Sequence, residues 1–258
     1  MSQVKSNHLK FLKDNIYKLD SKWPQFKILF QALEDDASFI ISCENVLIME
    51  RCYFYGGFSL FKPLFDNKNI TVVDCINEST FVRNGGQEAW VNHPDFIKSK
   101  CNFQSDMHDL SEKLDKQFDF IFIPNIVHHI QDQYQLFEQI SKILKPNGRI
   151  LIFEGLVREL HHLPADYLRY TPFGIEHMLS RNGIKMTSHK YGSGVFDVIS
   201  YVMQMALEYF PEDERKKYNE LYEGFLYPYL QELDAKYPRN LQKPDKHFPM
   251  SYVVWGRK

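Results

Sequence analysis

A change in the spacing of apolar residues divides the middle of the chain into a strand, a helix and a second strand. Residues 118–123 form an almost unbroken apolar run, which is typical of a strand buried on both faces of a parallel sheet. Across 136–144 the apolar positions follow helical spacing, and Asp132 predicts the cap that starts this helix. The turn residues at 146–148 end the helix, and a second strand begins at Arg149. The stretch predicts a right-handed β-α-β unit.

The same patterns predict an α/β sheet with helices on both faces over most of the chain. Further strands are predicted at residues 45–50, 70–74, 101–104, 184–189 and 251–255, and helices up to about residue 40 and at 58–65, 88–98 and 171–181. We divide the chain into an N-terminal helical segment at 1–44, a core at 45–192, a helical insertion at 193–246 and a closing strand at 247–258.

The insertion combines helical periodicity with many tyrosine and phenylalanine residues. Large aromatic side chains on helices favour a covered surface over an exposed one. The two alternatives are a helical cap over the core and the subunit interface of a homodimer.

Composition and charge exclude several classes of protein. The 258 residues suffice for one sizeable core, and 31 lysines and arginines against 33 acidic residues give no basic excess for a nucleic-acid partner. No apolar run reaches the length of a membrane span, the polar start lacks a signal-peptide core, and the four cysteines form no metal-binding or disulfide pattern. We expect a soluble cytoplasmic protein without a membrane or nucleic-acid partner.

The predicted second strand ends in Asp74, 24 residues after Glu50 at the end of the first. An acid at the carboxyl edge of a parallel sheet can accept hydrogen bonds from ribose hydroxyls, although a helix-capping role is the alternative. The same spacing occurs in nicotinamide-dinucleotide folds. The chain contains no G-x-G-x-x-G loop to hold a pyrophosphate, which argues against a dinucleotide.

Ionisable residues also follow the fourth and fifth predicted strands. His128 and His129 offer a general base, although either histidine can instead serve a structural role, and Glu154 ends the next strand at the same edge. The connection that follows suits a hydroxylated or anionic ligand. Its candidate substrate contacts are Arg158, His161, Arg169 and Tyr170. The histidines lack the spacing of a metal site, so we expect none.

The segments FDFIFIPNIVHHI and LFEQISKILKPNGRILIFE resemble the fourth strand, the following helix and the fifth strand of the class I S-adenosylmethionine-dependent methyltransferases. LKPNGR is the most specific part. The resemblance implies a Rossmann-like sheet of seven strands whose last strand is antiparallel, S-adenosylmethionine as the cofactor, and transfer of its methyl group.

The resemblance also implies cofactor contacts. Glu50 takes the acidic position of the first loop and Gly56 its last glycine, but Cys52 and Phe54 stand where the family has glycines. The remaining contacts implied are Asp74 with the ribose, Asp106 with the adenine amino group, Met107 beside the adenine ring, and Asn125.

The run LRYTPFGIEHMLSRNGI is similar to methyltransferases of bacterial surface-polysaccharide pathways. We therefore predict O-methylation of a sugar or nucleotide-sugar hydroxyl, with His129 and Glu154 as the first candidates for the base and His128 as a further one. The order Pro-Asn at 124–125 is not the Asn-Pro-Pro motif of nucleobase methyltransferases. Three alternatives remain: a methyltransferase of another small-molecule pathway, a degenerate binding module that no longer admits the cofactor, and a nucleotide-using oxidoreductase.

Overall fold

The computed structural model describes residues 26–50, 69–74, 103–104, 107–160, 163, 166–237 and 248–258. The strands within these ranges are β1 (Asn45–Glu50), β2 (Asn69–Asp74), β3 (Phe103–Gln104), β4 (Phe118–Pro124), β5 (Leu144–Gly155), β6 (Lys185–Gly192) and β7 (Ser251–Arg257). The helices are α1 (Lys27–Asp35), α2 (Ala37–Ser42), α3 (Leu110–Lys113), α4 (Gln133–Ile143), α5 (Pro172–Arg181), α6 (Val195–Ala206), α7 (Glu212–Leu221) and α8 (Tyr227–Lys236).

The strands form one mixed sheet in the order β3-β2-β1-β4-β5-β7-β6. Six of these strands have six or more residues, and β3 adds a two-residue pairing at one edge. The pairs from β3 to β5 are parallel, whereas β7 lies antiparallel between β5 and β6. The predicted Rossmann-like α/β architecture is confirmed.

Alternate residues of the central strands pack into two separate apolar layers. On β4, Ile121 and Ile123 pack with α3, α4 and α5, whereas Phe120 and Phe122 pack with α1 and α2 on the opposite face. These strand residues are all fully buried. The continuous apolar run predicted this arrangement, because a strand covered on both faces needs apolar side chains at every position.

The prediction for the start of β5 is wrong. The strand begins at Leu144, directly after α4, and not at Arg149. Leu144 pairs with Phe118, and the ladder with β4 is irregular before it resumes at Arg149. Asn147 has a φ of 66°, and this left-handed conformation lets the chain turn inside the strand. Its backbone also pairs with Lys258.

The helices α6 to α8 occupy the region predicted as helical from its periodicity. α6 packs on α8, and its buried Val198 and Tyr201 contact Met250 just before β7. Val157, in the connection after β5, packs against the same cluster. No helix in the described ranges is both long enough and apolar enough to span a bilayer.

Candidate active site

The carboxyl ends of β4 and β5 lie side by side. Pro124 and Phe153 are register partners, and the Asn125 backbone N–H donates a 2.7 Å hydrogen bond to the Phe153 carbonyl. Asn125 has a φ of 60°, a conformation that asparagine adopts more readily than most residues. The chain therefore turns sharply off the sheet, into a single 3₁₀ turn at Val127–His129.

Glu154 holds this 3₁₀ turn in place from the neighbouring strand. One carboxylate oxygen, Oε1, accepts a 2.6 Å hydrogen bond from the Val127 N–H, and Oε2 lies 2.6 Å from His128 Nδ1. Glu154 and His128 are both only 3 % exposed. With Nδ1 donating to the carboxylate, a neutral His128 ring carries its acceptor at Nε2, on the side away from Glu154.

His129 packs against the paired histidine. The two ring centroids are 3.9 Å apart, and the His129 side chain is 8 % exposed. The following connection reaches back to the same turn, because the Tyr167 N–H donates a 2.9 Å hydrogen bond to the His128 carbonyl. Both predicted histidines and Glu154 are therefore brought together at one end of the sheet.

Two arginines follow β5, and both have acidic neighbours. Arg158 is largely buried and has its Nε 3.6 Å from Glu159 Oε1, while the Tyr201 hydroxyl donates to the other oxygen of Glu159. Arg169 donates from both terminal nitrogens to the carboxylate of Asp166, whose side chain is fully buried.

The Asp166 carboxylate also affects the ionisation of Arg169. Burial alone would lower the pKa of Arg169, but the hydrogen bonds and the charge of Asp166 raise it above its ordinary value. The guanidinium therefore stays charged, and its bidentate pairing fixes the connection after β5 in one geometry.

Tyr170 and Met107 both contact the core. Tyr170 is partly buried against the first turn of α5, and burial, followed by the nearby Tyr134, raises the pKa of its phenol. Met107 is buried with Met49 in the apolar layer on the α4 face. Their expected contacts with substrate and cofactor stay predictions.

Several predicted cofactor and substrate contacts lie outside the described residues, namely Gly56, Asp106 and His161. For Glu50 and Asp74 the described part is the backbone, which makes them register partners at the carboxyl ends of β1 and β2. Two acids at adjacent strand ends fit the hydroxyls of a nucleoside. The Asn125 amide nitrogen is buried and has no hydrogen-bond partner among the described residues, which also fits a ligand at this edge.

Tyr252 is a buried residue of the site that the sequence did not single out. It faces Glu154 across the β5–β7 ladder and is fully buried, and its hydroxyl has no hydrogen-bond partner within the described ranges. Burial, and then the charge of Glu154, raise the pKa of this phenol well above its ordinary value. The closing strand was predicted, but its register against β5 depends on a contact almost a hundred residues away in sequence, which no local pattern encodes.

The remaining polar groups of the site are held within the protein. The sequence did not indicate Asp166, Glu159 and Tyr201 as residues of the site. In the structure Asp166 pairs with Arg169, and Glu159 lies beside Arg158 and accepts a hydrogen bond from Tyr201. Among the described side chains, no group of three or more His, Cys, Asp or Glu is arranged to hold a metal ion.

A family model described as a methyltransferase domain matches residues 58–152, just over a third of the chain. The matched range includes β4, the turn with His128 and His129, and most of β5. The chain carries a methyltransferase domain. This match bears out the prediction of a methyltransferase, and S-adenosylmethionine is the cofactor predicted for it.

Solved structures similar to this chain have low sequence identity to it. A SAM-dependent methyltransferase from Archaeoglobus fulgidus is 15 % identical, with 95 % of this chain and 99 % of that chain covered and a TM-score of 0.52. This likeness shows the fold. The N-methyltransferase NodS from Bradyrhizobium japonicum WM9, in complex with S-adenosyl-L-homocysteine, is 12 % identical, with 100 % and 99 % covered and a TM-score of 0.45.

A further similar chain belongs to the complex between the Haloferax volcanii Trm112 methyltransferase activator and a methyltransferase. It is 13 % identical, with 100 % of this chain and 98 % of that chain covered and a TM-score of 0.49. No curated protein matches the methyltransferase in sequence.

Proposed function

We propose that the methyltransferase transfers a methyl group to a hydroxyl of a sugar or nucleotide sugar, with His128 as the general base and Glu154 as the residue that orients it. The observation that supports this is the buried hydrogen bond between His128 Nδ1 and Glu154 Oε2, at the carboxyl edge where ligands of parallel sheets bind. A hydroxyl must lose its proton as it attacks, whereas an amine can attack through its lone pair. A base held in one tautomer therefore favours an oxygen acceptor.

His128 and Glu154 have different roles in this proposal. Bound S-adenosylmethionine supplies an electrophilic methyl group. His128 Nε2 accepts the proton of the acceptor hydroxyl, and Glu154 compensates the charge that forms on the imidazole. His129 packs on the ring of His128 and limits its rotation.

The contacts expected from the sequence complete the proposal. The cofactor is held by Glu50, Gly56, Asp74, Asp106, Met107 and Asn125, and the acceptor by Arg158, His161, Arg169 and Tyr170. Sugars combine hydroxyls with apolar ring faces, so arginine donors beside a tyrosine ring suit them. We place the reaction in bacterial surface-polysaccharide biosynthesis and the enzyme in the cytoplasm.

A panel of acceptors tests this function. The full chain is incubated with S-adenosylmethionine and with nucleotide sugars, free sugars, amines and non-sugar hydroxyl compounds, and mass spectrometry detects the gain of one methyl group. We expect methylation of a nucleotide sugar or sugar on oxygen. Methylation confined to amines, or to hydroxyl compounds without a sugar, would contradict the proposal.

The role of His128 is tested separately with His128→Gln. We expect kcat to fall by about 10²–10⁴-fold, the usual contribution of a general base, while the dissociation constant for S-adenosylhomocysteine stays unchanged. His177→Gln, at an exposed position on α5, is the matched control. An unchanged kcat in His128→Gln would exclude His128 as the base.

A further inference from the structure

Tyr252 in β7 and Glu154 in β5 are neighbours on one face of the sheet. They are register partners in the antiparallel ladder, and the side chains of such partners share a face, with their Cβ atoms about 4.5–5.5 Å apart. Tyr252 belongs to the apolar layer on the α4 and α5 side, together with Ile150 and Ile152. These isoleucines occupy every second position before Glu154, so Glu154 points to the same side as Tyr252.

The Tyr252 hydroxyl is a buried donor that the proposed reaction leaves unused. The residue is fully buried, and no group in the described part of the chain makes a hydrogen bond with this oxygen. Burial, then the charge of Glu154, then Tyr170 raise the pKa of the phenol well above its ordinary value, so the hydroxyl keeps its proton at physiological pH. Buried hydroxyls are nearly always hydrogen-bonded, to protein or to ordered water.

The Glu154 carboxylate can accept more hydrogen bonds than the described residues donate to it. A carboxylate offers about four acceptor positions, and the Val127 N–H and His128 Nδ1 occupy one on each oxygen. Glu154 is almost fully buried, so bulk water does not fill the others. An acceptor with spare capacity therefore lies beside a donor that lacks an acceptor. Polar groups too far apart for a direct hydrogen bond are commonly joined by a buried water molecule.

We propose that Tyr252 is a positioning residue of the active site, whose hydroxyl donates a hydrogen bond to the Glu154 carboxylate through one buried water molecule. The proposal rests on the proposed function, because Tyr252 acts on the reaction through Glu154 and His128. A donor to the ionised form keeps a carboxylate ionised. The ionised carboxylate in turn holds the proton of His128 at Nδ1, which leaves Nε2 free to accept the proton of the methyl acceptor.

Thermal unfolding of the full chain carrying Tyr252→Phe tests the hydrogen bond without any methyl transfer. Phenylalanine keeps the ring and removes only the hydroxyl. We expect the melting temperature to fall by about 2–4 °C, the effect of losing one hydrogen bond in a chain of this size. Removal of a hydroxyl without a partner would leave the melting temperature unchanged or raise it, and either result would overturn the proposal. Tyr218→Phe, at an exposed tyrosine on α7, is the matched control.

The same substitution in a Glu154→Gln background tests whether Glu154 is the acceptor. Residues joined in one hydrogen-bond network are energetically coupled, so their effects on stability do not add. A neutral amide oxygen accepts a weaker hydrogen bond than a carboxylate, so Tyr252→Phe should lower the melting temperature about half as much in this background. An equal decrease in both backgrounds would place the acceptor elsewhere and overturn the assignment to Glu154.

The pH dependence of kcat separates a positioning role from a purely structural one. Without the donor the Glu154 carboxylate takes up a proton more readily, so the acidic limb of the profile should move to higher pH by about one unit in Tyr252→Phe. The limb should stay in place in Tyr218→Phe, which keeps the groups that interact with Glu154, namely His128, Arg169 and Tyr252.

Two further results would overturn the positioning role. One is an acidic limb that does not move in Tyr252→Phe. The other is a tenfold loss of affinity for S-adenosylhomocysteine in this variant, measured by calorimetry, which would assign the hydroxyl to the cofactor. Failure of the acceptor panel would instead contradict the proposed function, and the two melting-temperature measurements would still decide whether Tyr252 donates to Glu154.

Discussion

Glu154 acts on two groups at once, with one carboxylate oxygen for each. Its Oε1 fixes the backbone of Val127 and its Oε2 the ring of His128, and both contacts are shielded from water. A hydrogen bond inside the protein is stronger than one in water, and its loss leaves a buried group without a partner. This single residue therefore determines both where the 3₁₀ turn lies and which nitrogen of His128 carries the proton.

The substitution Glu154→Gln separates these two effects. A glutamine oxygen can still accept from Val127, but its NH₂ group would then face His128 Nδ1 and require that nitrogen to be the acceptor. The proton moves to Nε2, and the base is lost. We expect kcat to fall at least about 10²-fold with little change in the affinity for S-adenosylhomocysteine.

The matched control is Glu138→Gln, on the exposed face of α4. Single-turnover rates and calorimetry with S-adenosylhomocysteine give the two quantities. A kcat close to that of the wild type in Glu154→Gln would mean that the tautomer of His128 has no part in the reaction.

The sequence identified both histidines and Glu154 as candidates, because strand ends of a parallel sheet converge on one edge. It ranked His129 with Glu154 ahead of His128. The structure pairs His128 with Glu154 and packs His129 against the ring. This difference depends on the left-handed turn at Asn125, whose direction is set by the neighbouring strand and not by residues nearby in sequence.

Close approach of α1 to the antiparallel end of the sheet depends on a glycine in β6. A Cβ on Gly192 would lie 2.8 Å from Ile28 Cβ and 2.7 Å from Ser251 Oγ, both too short for atoms in contact. The helix can therefore rest on β6 and β7 only because no side chain stands between them. The apolar pattern predicted a helix here but not the close approach that Gly192 permits.

We expect Gly192→Ala to lower the free energy of unfolding by about 1–3 kcal/mol, the usual cost of overpacking. Gly224→Ala is the matched control, and its effect on the free energy of unfolding should have the opposite sign. No heavy atom of the described residues lies within 4 Å of its added Cβ. Alanine should stabilise that helical segment by about 0.5–1 kcal/mol. Urea denaturation measures both, and equal effects would contradict the packing argument.

Asp119 joins three strands at the amino-terminal end of the sheet. From β4 its carboxylate accepts hydrogen bonds from the backbone N–H groups of Glu44, just before β1, and of Asn45, the first residue of β1, and from Lys145 in β5. Burial alone would raise the pKa of Asp119, but the Lys145 hydrogen bond and the two backbone donors lower it below its ordinary value. The ionised form is therefore the one that stabilises the fold.

The pH dependence follows from the sign of that shift. The stabilisation is fully present above the unfolded pKa, about 3.9 for an aspartate, and is lost as the pH falls through the lower folded pKa. We expect Asp119→Asn to cost about 1 kcal/mol at pH 7, given its partial exposure, and much less at pH 3.

Urea denaturation at both pH values is the measurement, and Asp115→Asn, at an exposed position between α3 and β4, is the control. A cost of Asp119→Asn that is equal at pH 7 and pH 3 would exclude an electrostatic origin.

At the scale of the whole molecule, the fold was predictable because nearly every strand carries its own signal. β1, β4 and the closing strand begin at the predicted residues. The start of β5 was not predictable, since a Pro-Asn-Gly sequence normally ends an element and here lies inside one. Binding of the cofactor needs groups from several strand ends at once, so its test requires the intact protein.

We expect S-adenosylhomocysteine at about 100 times its dissociation constant to stabilise the native protein by about 2.7 kcal/mol. For a chain of this size, the melting temperature should rise by roughly 5–10 °C. NAD at the same concentration serves as the control and should leave it unchanged. A rise with NAD alone would favour the oxidoreductase alternative.

The helices beyond β6 expose an apolar stripe, and we expect this stripe to be the subunit interface of a homodimer. Leu221, Phe225 and Tyr229 lie at four-residue intervals on one helical face, and they are 58 %, 65 % and 48 % exposed. Phe225→Glu places a charge in the middle of this stripe, so sedimentation equilibrium should show a dimer for the wild type and a monomer for the variant. Lys216→Glu, on the opposite face of α7, should stay dimeric; a monomeric wild type would contradict the interface.

The position of β7 has a consequence for how the molecule is made. β6 pairs only with β7 within the described sheet, and β7 in turn is the strand that pairs with β5. On the ribosome β6 emerges first, yet it has no place in the sheet until β7 follows. The nascent chain must therefore carry an unpaired β6 and an open edge on β5 while α6, α7 and α8 are synthesised, which is the interval in which a chaperone would matter most.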